Sequence, residues 1–323
     1  MCTAITFQTN SHYFGRNLDL EYHYNEAVTI MPRNCPLPMR CEASPDSHYA
    51  IIGMATIDGQ YPLFYEGTNE WGLSIASLNF PGNAIYHPMQ DGMYNITTFE
   101  FIPWLLGQCK NLDEVKEKLK RTNIVNIPYS SEYPLTPLHW LIADKSSSLT
   151  VEPMEHGLQM IENPVGVLTN NPPFSYHMHN LCNYMGISNQ PAVNRLCTQV
   201  DLKPYSNGMG GMGLPGDLSS ASRFIRAVFT KDNSVCAADE ASSVGQFFHI
   251  LDSVYQQSGC VQIGEAYEKT VYSSCCNTDT GVYYYTTYEN RQITAVSMRN
   301  IDLNQNALKS YPLNTTQQIR YEN

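Results

Sequence analysis

Runs of basic residues are missing from this chain. Its 323 residues carry 19 Lys and Arg against 30 Asp and Glu, a formal net charge of −11. Phosphate backbones are bound by clustered Lys and Arg, so nucleic acid is not an expected partner. Charge of either sign is sparse, at 15% of residues, while hydrophobic residues make up 42%, a globular rather than a disordered composition. No stretch approaches the roughly 18 uninterrupted apolar residues of a membrane span, so no membrane insertion is expected. The opening MCTAITFQTN has neither the charged leader nor the long apolar segment of a signal peptide. CxxC pairs are absent, as is any Cys/His array with zinc spacing. The ten cysteines are irregularly placed and read mostly as reduced, small hydrophobes in a cytoplasmic protein. Neither a metal nor a cofactor is expected. The HMH triplet, His177 to His179, lacks a third ligand at a telling spacing and reads as helix surface. GMGGMG at 208–213 follows no convincing strand of a βαβ unit, so a dinucleotide site is not supported.

What the chain does contain is strand pattern and tyrosine, of which there are 22. Thr3–Phe7 and Tyr13–Leu18 flank the turn cluster Thr9-Asn10-Ser11, a hairpin signature. Tyr49–Met54, Leu63–Glu66 and Gly72–Leu78 are further short strands. Thr98–Cys109 is apolar enough for a buried helix, with Pro103 giving it a kink or a late start. A clearer helix follows, with Asn111 as its cap and Glu114 three residues on. A second strand group spans Trp140–Ala143, Ser148–Glu152, Leu158–Glu162 and Val165–Leu168. Helices are expected at Ser219–Thr230 and Ala241–Gln256, and strands again at Val271–Cys276, Val282–Tyr288 and Gln292–Met298. Hairpins imply antiparallel sheets, and two such sheets with about four helices suggest a layered α+β sandwich. No linker divides the chain, so residues 1–323 are read as one domain. The stretch from Gly186 to Asp217 is long and poorly patterned, as functional or assembly loops often are.

The chemistry starts at Cys2. Methionine is usually trimmed before a small residue, which makes Cys2 the N-terminal residue and frees its α-amine. An amine with an ordinary pKa of roughly 7.7–8.0 then sits beside a thiol of roughly 8.5. Nucleophile and base share one residue. If the hairpin turn centres on Asn10-Ser11, Cys2 lies opposite Asp19, to within one residue. Asp19 would orient the ammonium, and Arg16 would stabilise the thiolate or hold Asp19. On an ideal strand Arg16 and Asp19 point to opposite faces, so a bulge or strand end is needed to bring both to Cys2.

Seven segments occur in order: MCTAITF, YFGRNLD, NEWGLSIASLNFPG, LHWLIAD, VLTNNPPF, GLPGDLSSASRFIRAVF and YYYTTYENRQI. Together they resemble the choloylglycine hydrolase family, over essentially the whole chain from Met1 to about Met298. The resemblance implies the N-terminal-nucleophile fold, an αββα sandwich. It also implies roles: Cys2 as nucleophile, Arg16 and Asp19 holding the nucleophile and its amine, and Asn79 binding the developing oxyanion. Asn170 would be a second polar contact and Arg223 a basic residue near the nucleophile. Asn171 remains an alternative to Asn170, and Arg223 could instead be a helix-surface charge, as Arg226 is taken to be.

Penicillin acylases of the family tend to carry Tyr where this chain has Asn79, which favours a bile salt hydrolase acting on glycine- or taurine-conjugated bile salts. Leu18, Tyr22, Tyr24, Tyr65, Tyr129, Tyr133 and Leu138 are candidate pocket walls. Asp58 departs from the aromatic residue some bile salt hydrolases have there, and Gly208-Met209-Gly210 bears on the choice between glycine and taurine. The resemblance also suggests a homotetramer, joined partly through the loop before Asp217. Penicillin V acylase or acyl-homoserine lactone acylase is the alternative, and a non-catalytic bile-salt-binding protein the second.

Overall fold

The computed structural model describes residues Met1–Asn323. The chain opens with a hairpin, β1 (Cys2–Gln8) and β2 (His12–Leu20). Four strands follow: β3 (Ala27–Met31), β4 (Ile51–Asp58), β5 (Tyr61–Asn69) and β6 (Ser74–Asn79). Next come β7 (Tyr94–Thr97), α1 (Phe101–Gln108), α2 (Leu112–Leu119) and β8 (Thr122–Val125). The middle of the chain forms β9 (Leu138–Ala143), β10 (Ser148–Met154), β11 (Gly157–Glu162), β12 (Val167–Leu168) and α3 (Phe174–Asn180). Helices α4 (Ser220–Asp232) and α5 (Glu240–Asp252) lead to β13 (Val261–Ile263), β14 (Ala266–Asn277), β15 (Val282–Thr287), β16 (Thr294–Ser297) and β17 (Lys309–Pro312).

Two antiparallel sheets stack face to face. The first runs β12-β1-β2-β14-β15-β16 with β13 beside β14; the second runs β11-β10-β9-β6-β5-β4-β3-β17. Their facing sides share a core with α4 and α5, through residues such as Ile5, Leu18, Ile52, Leu141, Phe224 and Phe247. A second core lies under α1 and α2, outside the second sheet. The order is therefore helix, sheet, sheet, helix, the αββα sandwich expected. Trp140 anchors the outer core at 4.2 Å from the Phe101 ring. Truncating such a side chain typically costs about 3–5 kcal/mol.

Local sequence explains the helix starts. Asn111 accepts from the Glu114 N–H at 3.0 Å, and Ser219 and Asp239 cap α4 and α5 in the same way. Pro103 falls in the first turn of α1, where no N–H is needed, so the helix begins at Phe101 rather than Thr98. A parallel pair, β7 with β8, strand β3 between β4 and β17, and the edge strands β13 and β17 were not expected.

One correction moves the chemistry. The first turn has three residues, 9–11, with Gln8 opposite His12, so Cys2 pairs with Leu18 and not with Asp19. A one-residue slip exchanges the faces. Cys2 therefore shares a face with Arg16 and Leu18, while Thr3, Asn17 and Asp19 share the other.

Candidate active site

Strand β2 is buried on both sides, because one face meets the second sheet and the other meets the helices. That is why Arg16 and Asp19 both have zero exposure while pointing opposite ways. Arg16 reaches into the space between the sheets and donates through Nη1 to the carbonyls of Tyr65, at 3.2 Å, and Ser77. Its Nη2 is buried without a partner. Asp19 faces the helix side, where Thr270 Oγ1 donates to it at 2.6 Å and Gln256 Nε2 at 3.3 Å. A bulge is present, but on β14 between Thr270 and Tyr272, opposite Asp19 and Leu18. Arg16 and Asp19 thus flank the start of β1 from its two faces, with no bend in their own strand.

The backbone of Cys2 is clamped by residues distant in sequence. Its N–H donates to Asn170 Oδ1 at 2.7 Å. Arg223, fully buried on the first turn of α4, donates through Nη2 to the same oxygen at 2.8 Å. Its Nη1 donates to the Cys2 carbonyl and to Thr3 Oγ1, and its Nε to the Leu218 carbonyl at 3.0 Å. Arg223 is therefore no surface charge; every nitrogen of its guanidinium is engaged. Asn170 Nδ2 donates to the Asn79 carbonyl at 2.7 Å. The Asn79 side chain itself lies exposed at the end of β6. Asn171 turns away, donating to the Pro81 carbonyl, so Asn170 is the residue brought to Cys2.

The Asn170 segment is held from behind by groups that pattern reading missed. His139 donates from Nε2 to the Thr169 carbonyl at 2.8 Å. His177 Nε2 holds the Asn170 carbonyl at 2.9 Å, and Glu152 Oε1 accepts from the Phe174 N–H at 2.9 Å. His139 Nδ1 meets the same Glu152 oxygen at 3.2 Å, so the imidazole and carboxyl share a further proton. The helix-surface reading of the HMH triplet is correct for His179, which is exposed, and wrong for His177, which has no exposure. Burial against Phe224, whose ring stacks at 4.8 Å, accounts for that placement.

The electrostatics separate the two arginines. Burial works against the charge of Arg16, yet Cys2 first, then Tyr272, Glu66 and Asp19, hold its pKa above the ordinary value. Burial lowers the pKa of Arg223, with Asp19 and Cys2 opposing the shift. The Asp19 carboxyl is pushed up by burial, against the pull of the Met1 ammonium, Arg223, Thr270 and Arg16. Glu66, buried and bonded by the hydroxyls of Tyr272, Tyr283 and Ser274, sits 3.9 Å from Arg16 and steadies it.

The proposed pocket walls divide. Leu18 pairs with Cys2, and Leu138 pairs with Asn79. Tyr65 is half-buried, with its hydroxyl 2.9 Å from Thr56 Oγ1, whose own hydroxyl donates to the Tyr24 carbonyl. Tyr22 and Tyr24 are 62% and 45% exposed. Tyr129 and Tyr133 pack edge to face at 6.0 Å. Tyr129 also lines, with Asp58, Tyr61, Phe99 and Arg40, a cleft of about 830 Å³ to which Cys2 does not contribute. No group of His, Cys, Asp and Glu is arranged to hold a metal ion.

A buried cysteine whose backbone nitrogen and carbonyl are held by Asn170 and Arg223, with an unpartnered guanidinium nitrogen on its side-chain face, is suited to nucleophilic attack on a carbonyl. Residues 2–311 match the model of the linear amide C–N hydrolases, choloylglycine hydrolase family. The chain belongs to the choloylglycine hydrolase family. It is similar to a bile salt hydrolase/transferase of Lactiplantibacillus plantarum, at 53% identity over 98% of both chains. It is also similar to a bile salt hydrolase/transferase of Clostridium perfringens, at 39% identity over the full length of both. The solved structure of the conjugated bile acid hydrolase from Clostridium perfringens superposes with a TM-score of 0.93 at 38% identity, covering both chains completely. The fold is thus the N-terminal-nucleophile sandwich, and the enzyme a choloylglycine-type hydrolase of linear amide C–N bonds. No helix is long and apolar enough to cross a membrane.

Proposed function

We propose that this enzyme hydrolyses the amide joining glycine or taurine to a bile acid, with Cys2 as nucleophile once Met1 is removed. The observation that carries the reading is the convergence of Asn170 and Arg223 on the backbone of Cys2. The names of the similar enzymes supply the substrate class. The freed α-amine takes the thiol proton, and the sulfur attacks the amide carbonyl. The Asn79 side-chain amide and Asn170 donate to the oxyanion, and Arg16 Nη2 faces the thiolate. Asp19 orients the amine from the helix side. The protonated amine then delivers its proton to the departing amino acid nitrogen. Water, activated by the same amine, cleaves the thioester and releases the bile acid.

Leu18 and Leu138 floor the steroid pocket beside the nucleophile and oxyanion site, and Tyr22, Tyr24, Tyr65, Tyr129 and Tyr133 form its aromatic rim. Residues 1–323 work as one domain, in the cytoplasm, where ten free thiols stay reduced. The loop before Asp217 exposes Val193, Leu196, Val200, Leu202 and Tyr205, the apolar surface a homotetramer interface would bury. A side-by-side assay of glycocholate, taurocholate and penicillin V tests the substrate class. Release of glycine or taurine faster than phenoxyacetate supports it; hydrolysis of penicillin V alone overturns it.

A further inference from the structure

Glu268, on β14, has no exposed surface. Its one partner is the Met1 ammonium, which sits directly on Oε1, and no other donor reaches either carboxylate oxygen. Its neighbour Lys269 is turned away, onto Glu289 at 2.5 Å. Met1 is laid against β2 like one more strand residue: its ammonium donates to the Asp19 carbonyl at 2.9 Å, and its carbonyl accepts from the Asp19 N–H at 3.0 Å. Removing Met1 frees both Asp19 backbone groups and leaves Glu268 facing the vacated space. One extended residue spans ~3.3–3.6 Å, so the new Cys2 ammonium lies about that far from the place the Met1 ammonium held.

We propose that Glu268 is a positioning residue for the reaction, holding the Cys2 α-ammonium through water in the place vacated by Met1 and thereby setting the pH at which the amine becomes a base. The inference rests on the reading that Cys2 acts with a free amine. The other carboxylates around that amine, Asp19 and Asp217, already accept hydrogen bonds from their own neighbours, so Glu268 adds to the orienting role of Asp19 on the side that Met1 leaves. On β2, the Asp19 carboxylate is bonded to Thr270 and Gln256, and Arg16 to the Tyr65 and Ser77 carbonyls. On α4, Arg223 is fully engaged, and Asp217 just before that helix is bonded to the Ser219 N–H and the Ser222 hydroxyl. Once Met1 is gone, Glu268 is the anion left without a donor. A buried polar group in that state normally has a water or ion partner, and the vacated space lies between it and the amine.

The sign follows from charge. A carboxylate near an ammonium favours the charged form, so Glu268 raises the pKa of the amine and thiol, which titrate as a pair. Glu268→Gln keeps the shape and removes the charge. The acidic limb of the kcat/KM profile should then move to lower pH by about one unit. Glu268→Asp, which draws the carboxylate back, should move it less in the same direction. Glu265→Gln, an exposed site three residues away, changes net charge equally and should leave the limb in place. The measurement is kcat/KM for a conjugated bile salt from pH 4 to 9, on proteins whose intact mass shows Met1 removed. An unmoved limb in Glu268→Gln, whether activity is unchanged or lowered evenly at every pH, overturns the proposal. So does an equal shift in Glu265→Gln. A wild-type protein that turns over with Met1 retained would instead overturn the reading beneath it, before any Glu268 variant is examined.

Discussion

The two ends of the first hairpin bury ionisable side chains for different reasons. At the closed end His12 has little exposure, sits 3.0 Å from Thr278 Oγ1 through Nδ1, and has its pKa lowered to about 4 by burial, with Asp279 and Asp144 only partly opposing. It is a neutral residue that has shed its charge to fit a core. At the open end Arg16 and Arg223 are buried as cations and Asp19 is buried with them around the start of β1. Keeping charge in a buried site is costly unless each ion is hydrogen-bonded. Here the bonds run to the backbone of a single cysteine and to the carbonyls around it. The same strand, β2, thus carries a residue that serves folding at one end and residues that serve chemistry at the other.

The largest expected effect breaks the open end outright. Cys2→Ser should lower turnover by about a thousandfold or more while melting temperature stays within a few degrees, since the hydroxyl is isosteric but a far weaker nucleophile. Steady-state kinetics and a thermal melt check both halves. Arg223→Ala should cost activity and stability together. It strips partners from Asn170 Oδ1, the Cys2 carbonyl and Thr3, and breaking a buried charged network typically costs about 3–5 kcal/mol. Urea unfolding measures this. Arg223→Lys should not restore activity, because a point charge cannot replace four directed bonds.

Asp19→Asn should separate function from stability. Burial raises the Asp19 pKa, so the folded state holds its proton more tightly than the unfolded state. That stability is present below the ordinary carboxylate value and is lost as pH rises through the folded pKa. At neutral pH the neutral Asn should therefore leave the melting temperature unchanged or higher, while turnover falls by about a hundredfold through loss of the anion beside the amine.

The closed end has the opposite signature. His12 binds a proton on unfolding across the interval from 6.5 down to about 4, so its contribution to stability is intact above 6.5 and lost as pH falls to about 4. The full shift corresponds to at most ~3 kcal/mol. His12→Gln should flatten the melting temperature over that window and leave kcat at pH 7 within about twofold of wild type. The smallest effect is expected at the mouth. Tyr22→Ala removes a largely exposed ring, so it should raise KM for bile salts a few-fold with stability changed by less than ~0.5 kcal/mol.

The layered fold was legible because hairpins, caps and apolar periodicity are local signals: Asn111 with Glu114, Ser219, and the turn cluster joining the first two strands all carried through. The register of Cys2 was not, because a two-residue and a three-residue turn read alike in Thr9-Asn10-Ser11, and one residue decides which face a side chain takes. The site residues named on family resemblance come together around Cys2, with Asn79 reached through its carbonyl. His139, Glu152 and His177 escaped because their roles lie in bonds to the carbonyls and N–H groups of the Asn170 segment, which no spacing reveals. Extending the β9–β10 register one pair past Trp140 and Val151 sets His139 and Glu152 opposite each other. Glu268 fell outside the strand expected at Val271–Cys276; β14 in fact starts at Ala266 and sets Glu268 against the Met1 ammonium.

The most direct measurement is mass spectrometry on the wild-type enzyme quenched during turnover of a conjugated bile salt. A bile-acyl thioester is expected on the peptide that begins at Cys2, with Met1 gone. Turnover with no acyl group on that peptide, or with Met1 still attached to it, would contradict Cys2 as the N-terminal nucleophile.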